Sequence, residues 1–187
     1  MDAVTALLPA IDPVLGHAAA AFVGTVLLIA AVEKLRDPDT FRDAVENYQV
    51  LPVTHLPAFA RTVPLLEALA GAMLLPVASR PLGAGLALAL WLMFTAAIVI
   101  NLRRGRDRID CGCGGSAHTP LGKGLVLRNA ALMLAALVAA APLLGRSTVW
   151  LDVCAVGFAT FFLLGLHFLA NTMLSHHSRL LALRNSP

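Results

Sequence analysis

The chain's most reactive side chains are concentrated in the segment Asp110-Cys111-Gly112-Cys113-Gly114-Gly115, where two of its three cysteines stand either side of a single glycine. A disulfide between residues this close shuts a small ring, draws the Cα atoms away from their usual separation and stores strain. Strain makes the bond easier to reduce, which suits a pair that exchanges electrons by thiolate attack better than one that staples a fold. Gly112 can adopt the backbone angles the ring needs, and Gly114 and Gly115 leave the approach of a partner thiolate open. Arg103, Arg104, Arg106, Arg108 and Lys123 surround the pair and favour thiolate, as would the start of the helix expected next, while the adjacent Asp110 opposes them. A structural zinc site spaces paired cysteines by roughly two to four residues and takes four ligands, whereas only His118 stands nearby as a third, so no metal is expected. Cys154 lies in a later apolar run and reads as a small packing residue.

The elements that carry this segment follow from composition. Apolar residues make up 58% of the 187 and charged residues 13%, against roughly 45–50% and about 25% in a soluble domain. Mean hydropathy is +0.78. A soluble enzyme is excluded on these grounds, and a formal charge of +3 is too small to indicate nucleic-acid binding. Apolar runs at about 14–32, 63–78, 82–102, 125–144 and 149–174 predict five membrane-spanning helices, too long and too rich in Leu and Ala for barrel strands. The expected architecture is an all-α, polytopic membrane helix bundle, a single integral domain over 1–187, with the fifth span added to a four-helix core. The N-terminal flank carries no Lys or Arg, so the first helix reads as a retained span rather than a cleaved signal. Residues 38–51 predict an interfacial helix, with Asp37 as N-cap, Pro38 at the first helical position and Phe41, Val45 and Tyr48 at helical spacing. The cysteine loop, 103–124, joins the third and fourth spans.

Ionisable groups inside a span are functional candidates by default. Glu67 lies about a turn into the second span, Lys34 at the end of the first, Asn101 at the end of the third, and Arg128 and Asn129 near the start of the fourth. Alternation of the helices brings all five to the membrane face that holds Cys111 and Cys113. One reading pairs Glu67 with Lys34 or Arg128 as a packing device. The other has Glu67 moving protons and Arg128 stabilising a thiolate or a bound acidic group. His17 and His167 fall toward opposite faces, which argues against a shared haem, and Asp152 is expected at the interface. Most Lys and Arg residues fall on the cysteine side, so the positive-inside rule puts that side in the cytoplasm and the N-terminus outside the cytoplasmic membrane.

The run Glu33-Lys34-Leu35-Arg36-Asp37-Pro38, then Phe41 and Tyr48-Gln-Val-Leu-Pro52, resembles the opening of DoxX-like membrane proteins. With Asp110-Cys-Gly-Cys-Gly-Gly115 and Arg128-Asn129 added, the chain resembles the MauE family of methylamine utilisation membrane proteins over roughly 14–145. Gly114-Gly115 departs from the aromatic expected near that position in the family. The resemblance implies a redox-associated membrane protein serving disulfide formation in an extracytoplasmic client, the small subunit of methylamine dehydrogenase, together with a thioredoxin-like partner. It also implies a likeness to the four-helix vitamin K epoxide reductase fold, in which thiol chemistry is coupled to quinone. On that reading Cys111 and Cys113 are catalytic, Gly112, Gly114, Lys34, Glu67, Arg128 and Asn129 support them, and a quinone would sit beside Glu67 and Arg128. An extracytoplasmic client requires the cysteines outside, contrary to the charge rule. A non-catalytic subunit or chaperone that docks the partner or client is the alternative, and a small transporter a third reading, against which stands the lack of a repeat pair.

Overall fold

The computed structural model describes residues 9–106, 109 and 121–184, with backbone alone for 176–184. The described residues form six α-helices: α1 (Pro13–Arg36), α2 (Pro38–Tyr48), α3 (Leu56–Leu74), α4 (Arg80–Arg103), α5 (Lys123–Ala140) and α6 (Trp150–Arg184), with a 3-10 turn at Val53–His55 before α3. Asp12 caps α1 by accepting from the Val14 amide at 2.9 Å, with Pro13 at the first position. Asp37 ends α1 and starts α2, accepting from the Thr40 amide at 3.1 Å and the Thr40 hydroxyl at 2.7 Å. These bonds hold the Asp37 carboxyl below its ordinary pKa.

The fold is an all-α helix bundle of the polytopic membrane type. By length and apolar composition four helices can cross a membrane: α1, α4, α5 and the Trp150–Ser175 part of α6. The second expected span needs correction. It is α3, which starts at Leu56 and stops at Leu74 rather than covering 63–78, and it is not one of those four helices. Arg61, Pro64 and Glu67 interrupt its apolar run. It nonetheless packs antiparallel to α1 over nearly the depth of the bundle, its 19 residues rising about 28 Å. The backbones cross closely at Gly24 and Gly71, where a Cβ on Gly71 would stand 2.9 Å from the Gly24 carbonyl oxygen.

The core lies among α1, α3, α4 and α5, built from Val23, Leu27, Ala70, Leu74, Ala87, Trp91, Leu132 and Ala136. α6 lies outside it. Phe158, Phe161 and Phe162 are exposed on α6, and Leu163 and Leu164 pack against the core from its inner side. Cys154 is a free thiol on the exposed surface of α6, not the packed position expected. The apolar side of α2 rests on the bundle, with Phe41 against Ala60 and Val63, and Tyr48 against Ile98, Leu121 and Leu125.

Hydrogen bonds define the two ends. At one, Ile11 donates to Pro142 and accepts from Leu144, both at 2.8 Å, joining the start of α1 to the chain after α5. Arg146 bridges Asp12 at 2.9 Å and Asp152 at 2.8 Å. At the other end lie α2, the end of α4 and the start of α5.

Candidate functional site

Cys111, Gly112, Cys113 and Gly114 fall in 110–120, outside the described residues. The two chain ends that enter and leave that segment are described. α4 stops in a Schellman turn: Gly105 takes φ +71°, its amide donates to Leu102 at 3.1 Å, and the Arg106 amide donates to Asn101 at 3.0 Å. Only glycine adopts that backbone conformation without strain. Arg104 then donates to the Gln49 carbonyl at 3.2 Å and Arg106 to the Asn47 carbonyl at 3.1 Å, so the end of α2 clamps the start of the loop. The Leu121 amide donates to the Ile109 carbonyl at 3.1 Å, bringing the two ends of the cysteine segment together over Tyr48, Ile98 and Leu125.

Below this surface sit two polar clusters. In the first, the Lys34 ammonium donates to both carboxylate oxygens of Glu67, at 2.8 and 2.9 Å. Lys34 is 7% exposed and Glu67 2%. The Lys34 side chain points back along α1, as helix geometry directs. Its ammonium lies 5.4 Å from the centre of the Phe41 ring and 5.6 Å from that of Phe94, so it occupies an aromatic-walled site with one acid in it. Of the two partners open to Glu67 by sequence, the structure pairs it with Lys34.

The second cluster joins α4, α5 and α6. Arg128 Nη1 donates to Asn171 Oδ1 and Nη2 to Asn129 Oδ1, both at 3.0 Å, and Nε donates to the same Asn129 oxygen at 3.3 Å. Asn129 Nδ2 in turn donates to the Thr95 hydroxyl at 3.1 Å. Asn171 Nδ2 lies 3.1 Å from His167 Nε2, and the His167 ring meets Phe22 edge-on. Arg128 therefore has neutral amides as partners and no carboxylate among the described residues. Asn101 is fully buried, donating to the Ala97 carbonyl at 3.1 Å and accepting from Arg106 at 3.4 Å.

Lys34, Asn101, Arg128 and Asn129 thus lie toward the end where the cysteine segment is anchored, Lys34 in one cluster, Arg128 and Asn129 in another, and Asn101 bonded to Ala97 and Arg106 outside both. Sequence reading missed Phe41, Phe94, Thr95 and Asn171 as members. Asn171 did carry a signal, being a polar residue inside an apolar run. His17 and His167 share no partner: His17 contacts Arg80 at the far end, and His167 belongs to the Arg128 network. No group of three or more His, Cys, Asp or Glu able to hold a metal exists among the described residues.

These features define a multi-pass helical membrane protein in which the residues flanking a glycine-spaced cysteine pair, Ile109 and Leu121, meet at one end of the bundle. A family model described as methylamine utilisation protein MauE matches residues 12–142, from the cap of α1 to just past α5. The methylamine utilization protein MauE of Methylophilus methylotrophus is 41% identical over 135 residues, 71% of each chain. That of Paracoccus denitrificans is 37% identical over 131 residues, 70% of each, and that of Methylorubrum extorquens 37% over 127, covering 67% of this chain and 68% of the relative. The chain belongs to the MauE family. The match leaves α6 outside it, and no solved structure matches.

Proposed function

We propose that this protein is a membrane thiol:disulfide redox protein in which Cys111 and Cys113 cycle between disulfide and dithiol, in support of methylamine dehydrogenase small-subunit maturation. A client thiolate attacks the Cys111–Cys113 disulfide, forming a mixed disulfide and releasing one thiolate. A second client thiolate resolves it, so the client gains a disulfide and the pair gains two electrons and two protons. Exchange with the disulfide of a thioredoxin-like partner restores the oxidised pair. A quinone near Glu67 and Arg128 is the other acceptor this scheme allows. The observation that carries the reading is the closure of the cysteine segment at its base, Leu121 to Ile109, on a surface supplied with Arg104 and Arg106. Such a closure fixes where the segment leaves and rejoins the bundle, and cations beside that base favour thiolate.

The expected result is that Cys113→Ser abolishes redox exchange with a model thioredoxin while membrane insertion is retained; undiminished exchange overturns the mechanism. Labelling intact cells with a membrane-impermeant maleimide, in a Cys154→Ala background because Cys154 is exposed, reads the side. Labelling after reduction places the pair outside, as an extracytoplasmic client requires, and labelling only after lysis places it in the cytoplasm with the basic loops. The second reading, a non-catalytic subunit that docks a redox partner, is favoured by one observation: Lys34, Glu67 and Arg128 are all engaged with one another or with amides. Absence of any exchange by the isolated protein, with partner binding intact, selects it.

A further inference from the structure

At the end of the bundle remote from the cysteine segment, a cavity of about 330 Å³ opens between α1, α6 and the chain leaving α3. Its polar walls are His17, Arg80, Thr148 and Asp152, and the remainder is aliphatic, including Ala21 and Val156. Arg80 is only 4% exposed. Its Nε donates to the Leu74 carbonyl at 3.2 Å, and its Nη2 lies 3.0 Å from His17 Nδ1 and 3.4 Å from the Leu75 carbonyl. A guanidinium can only donate, so His17 Nδ1 accepts, and the ring is neutral with its proton on Nε2. Arg80 Nη1 is buried and has no hydrogen-bond partner among the described residues.

No carboxylate among the described residues bonds to Arg80. Asp152, the one carboxylate in the cavity wall, has its two oxygens on Arg146 at 2.8 and 3.1 Å. A guanidinium stays charged when buried, and a buried donor without a partner is disfavoured, so this wall calls for an acceptor that brings negative charge. The aliphatic majority of the lining suits a ligand whose other part is apolar. The cavity also lies near the starts of α1 and α6, and basic pockets between spanning helices suit anionic headgroups.

We propose that this cavity binds an oxyanion, phosphate or carboxylate, borne on an apolar chain, with Arg80 and His17 on the side of the head and Ala21 and Val156 on the side of the chain. The test uses the full-length protein in detergent, delipidated and then exposed to vesicles of phosphatidylglycerol or phosphatidylcholine, to oleate, or to inorganic phosphate. Bound molecules are read by native mass spectrometry and phosphorus NMR. One phosphatidylglycerol or one oleate per chain is expected, at least tenfold above phosphatidylcholine, and which of the two is retained identifies the head. Arg80→Gln should lower that retention at least tenfold. Ala21→Phe, which fills the cavity and leaves every Arg80 hydrogen bond in place, should do the same, and it carries the test if Arg80→Gln fails to fold. Inorganic phosphate bound as tightly as the amphiphiles, and lost in Arg80→Gln, overturns the apolar half of the proposal. Equal retention of both phospholipids, or retention indifferent to Ala21→Phe, overturns the site.

Discussion

Replacing Glu67 with leucine leaves the Lys34 ammonium buried between two aromatic rings with no acid beside it. In the native bundle that ammonium contacts both carboxylate oxygens at 2.8 and 2.9 Å, and neither side chain is more than 7% exposed. Two unit charges at that distance attract by about 6 kcal/mol at an effective dielectric of about 20, and the loss of hydration of both ions offsets much of it. The pair therefore adds little over apolar groups of the same shape, but removing one partner costs about 3–5 kcal/mol. Glu67→Leu and Lys34→Met are each expected to lose about that much, whereas the double variant returns to the wild-type value or exceeds it. Methionine suits the site because its sulfur packs well on aromatic rings. Unfolding in detergent, followed by the fluorescence of the buried Trp91, reads the series. A Glu67→Leu variant within about 1 kcal/mol of wild type would refute a dry, tightly coupled pair. A double variant no better than the singles would refute charge balance as the reason. The folded double variant also separates roles: retained thiol exchange assigns the pair to packing, and lost exchange assigns it to the chemistry.

Three further outcomes are expected. Gly71→Ala puts a Cβ 2.9 Å from both the Gly24 carbonyl oxygen and Leu28 Cγ, which should cost about 1–3 kcal/mol in the same unfolding assay. Gly157→Ala, with nothing within 4 Å, is the control and should be neutral or stabilising by up to about 1 kcal/mol. Asn171→Leu takes away the acceptor of Arg128 Nη1 and should cost about 1.5–3 kcal/mol; a double-mutant cycle with Arg128→Met should show coupling of at least about 0.5 kcal/mol, and strict additivity would remove Asn171 from the network. Hydrogen bonds from Arg146 hold the Asp12 carboxyl below its ordinary pKa. The contribution of that contact is therefore fully present above the unfolded pKa near 4 and is lost as pH falls through the lower folded value. Protection factors of the Ile11 and Leu144 amides, which take out the intrinsic pH dependence of exchange, should fall in acid over that window, and Arg146→Gln should lower them at neutral pH; protection insensitive to both would show that Arg146 does not hold this end closed.

Some of the site was legible because the signals are local. Asp37-Pro38 and the spacing of Phe41 and Tyr48 specify a capped helix, since the cap and its first turn are neighbours in the chain. Alternation of the helices was enough to put Lys34, Asn101 and Arg128 toward the cysteine end, because chain direction reverses with each span whatever the packing. Arg80 carries no such local signal, standing between two apolar runs. Its burial depends on a meeting with His17, 63 residues away, that no spacing records.

The amino-acid sequence alone thus determined the all-α membrane class, the approximate extents of most helices and the end to which the cysteine pair belongs, because hydropathy and caps act over one or two turns. The tertiary structure decided which polar groups meet. In helices apolar all round, periodicity does not fix rotation about the axis. That rotation is set by close backbone crossings such as Gly24 on Gly71, and with it the pairing of Lys34 with Glu67, the bonding of Arg128 to Asn171, and the unpaired donor of Arg80 at the far end.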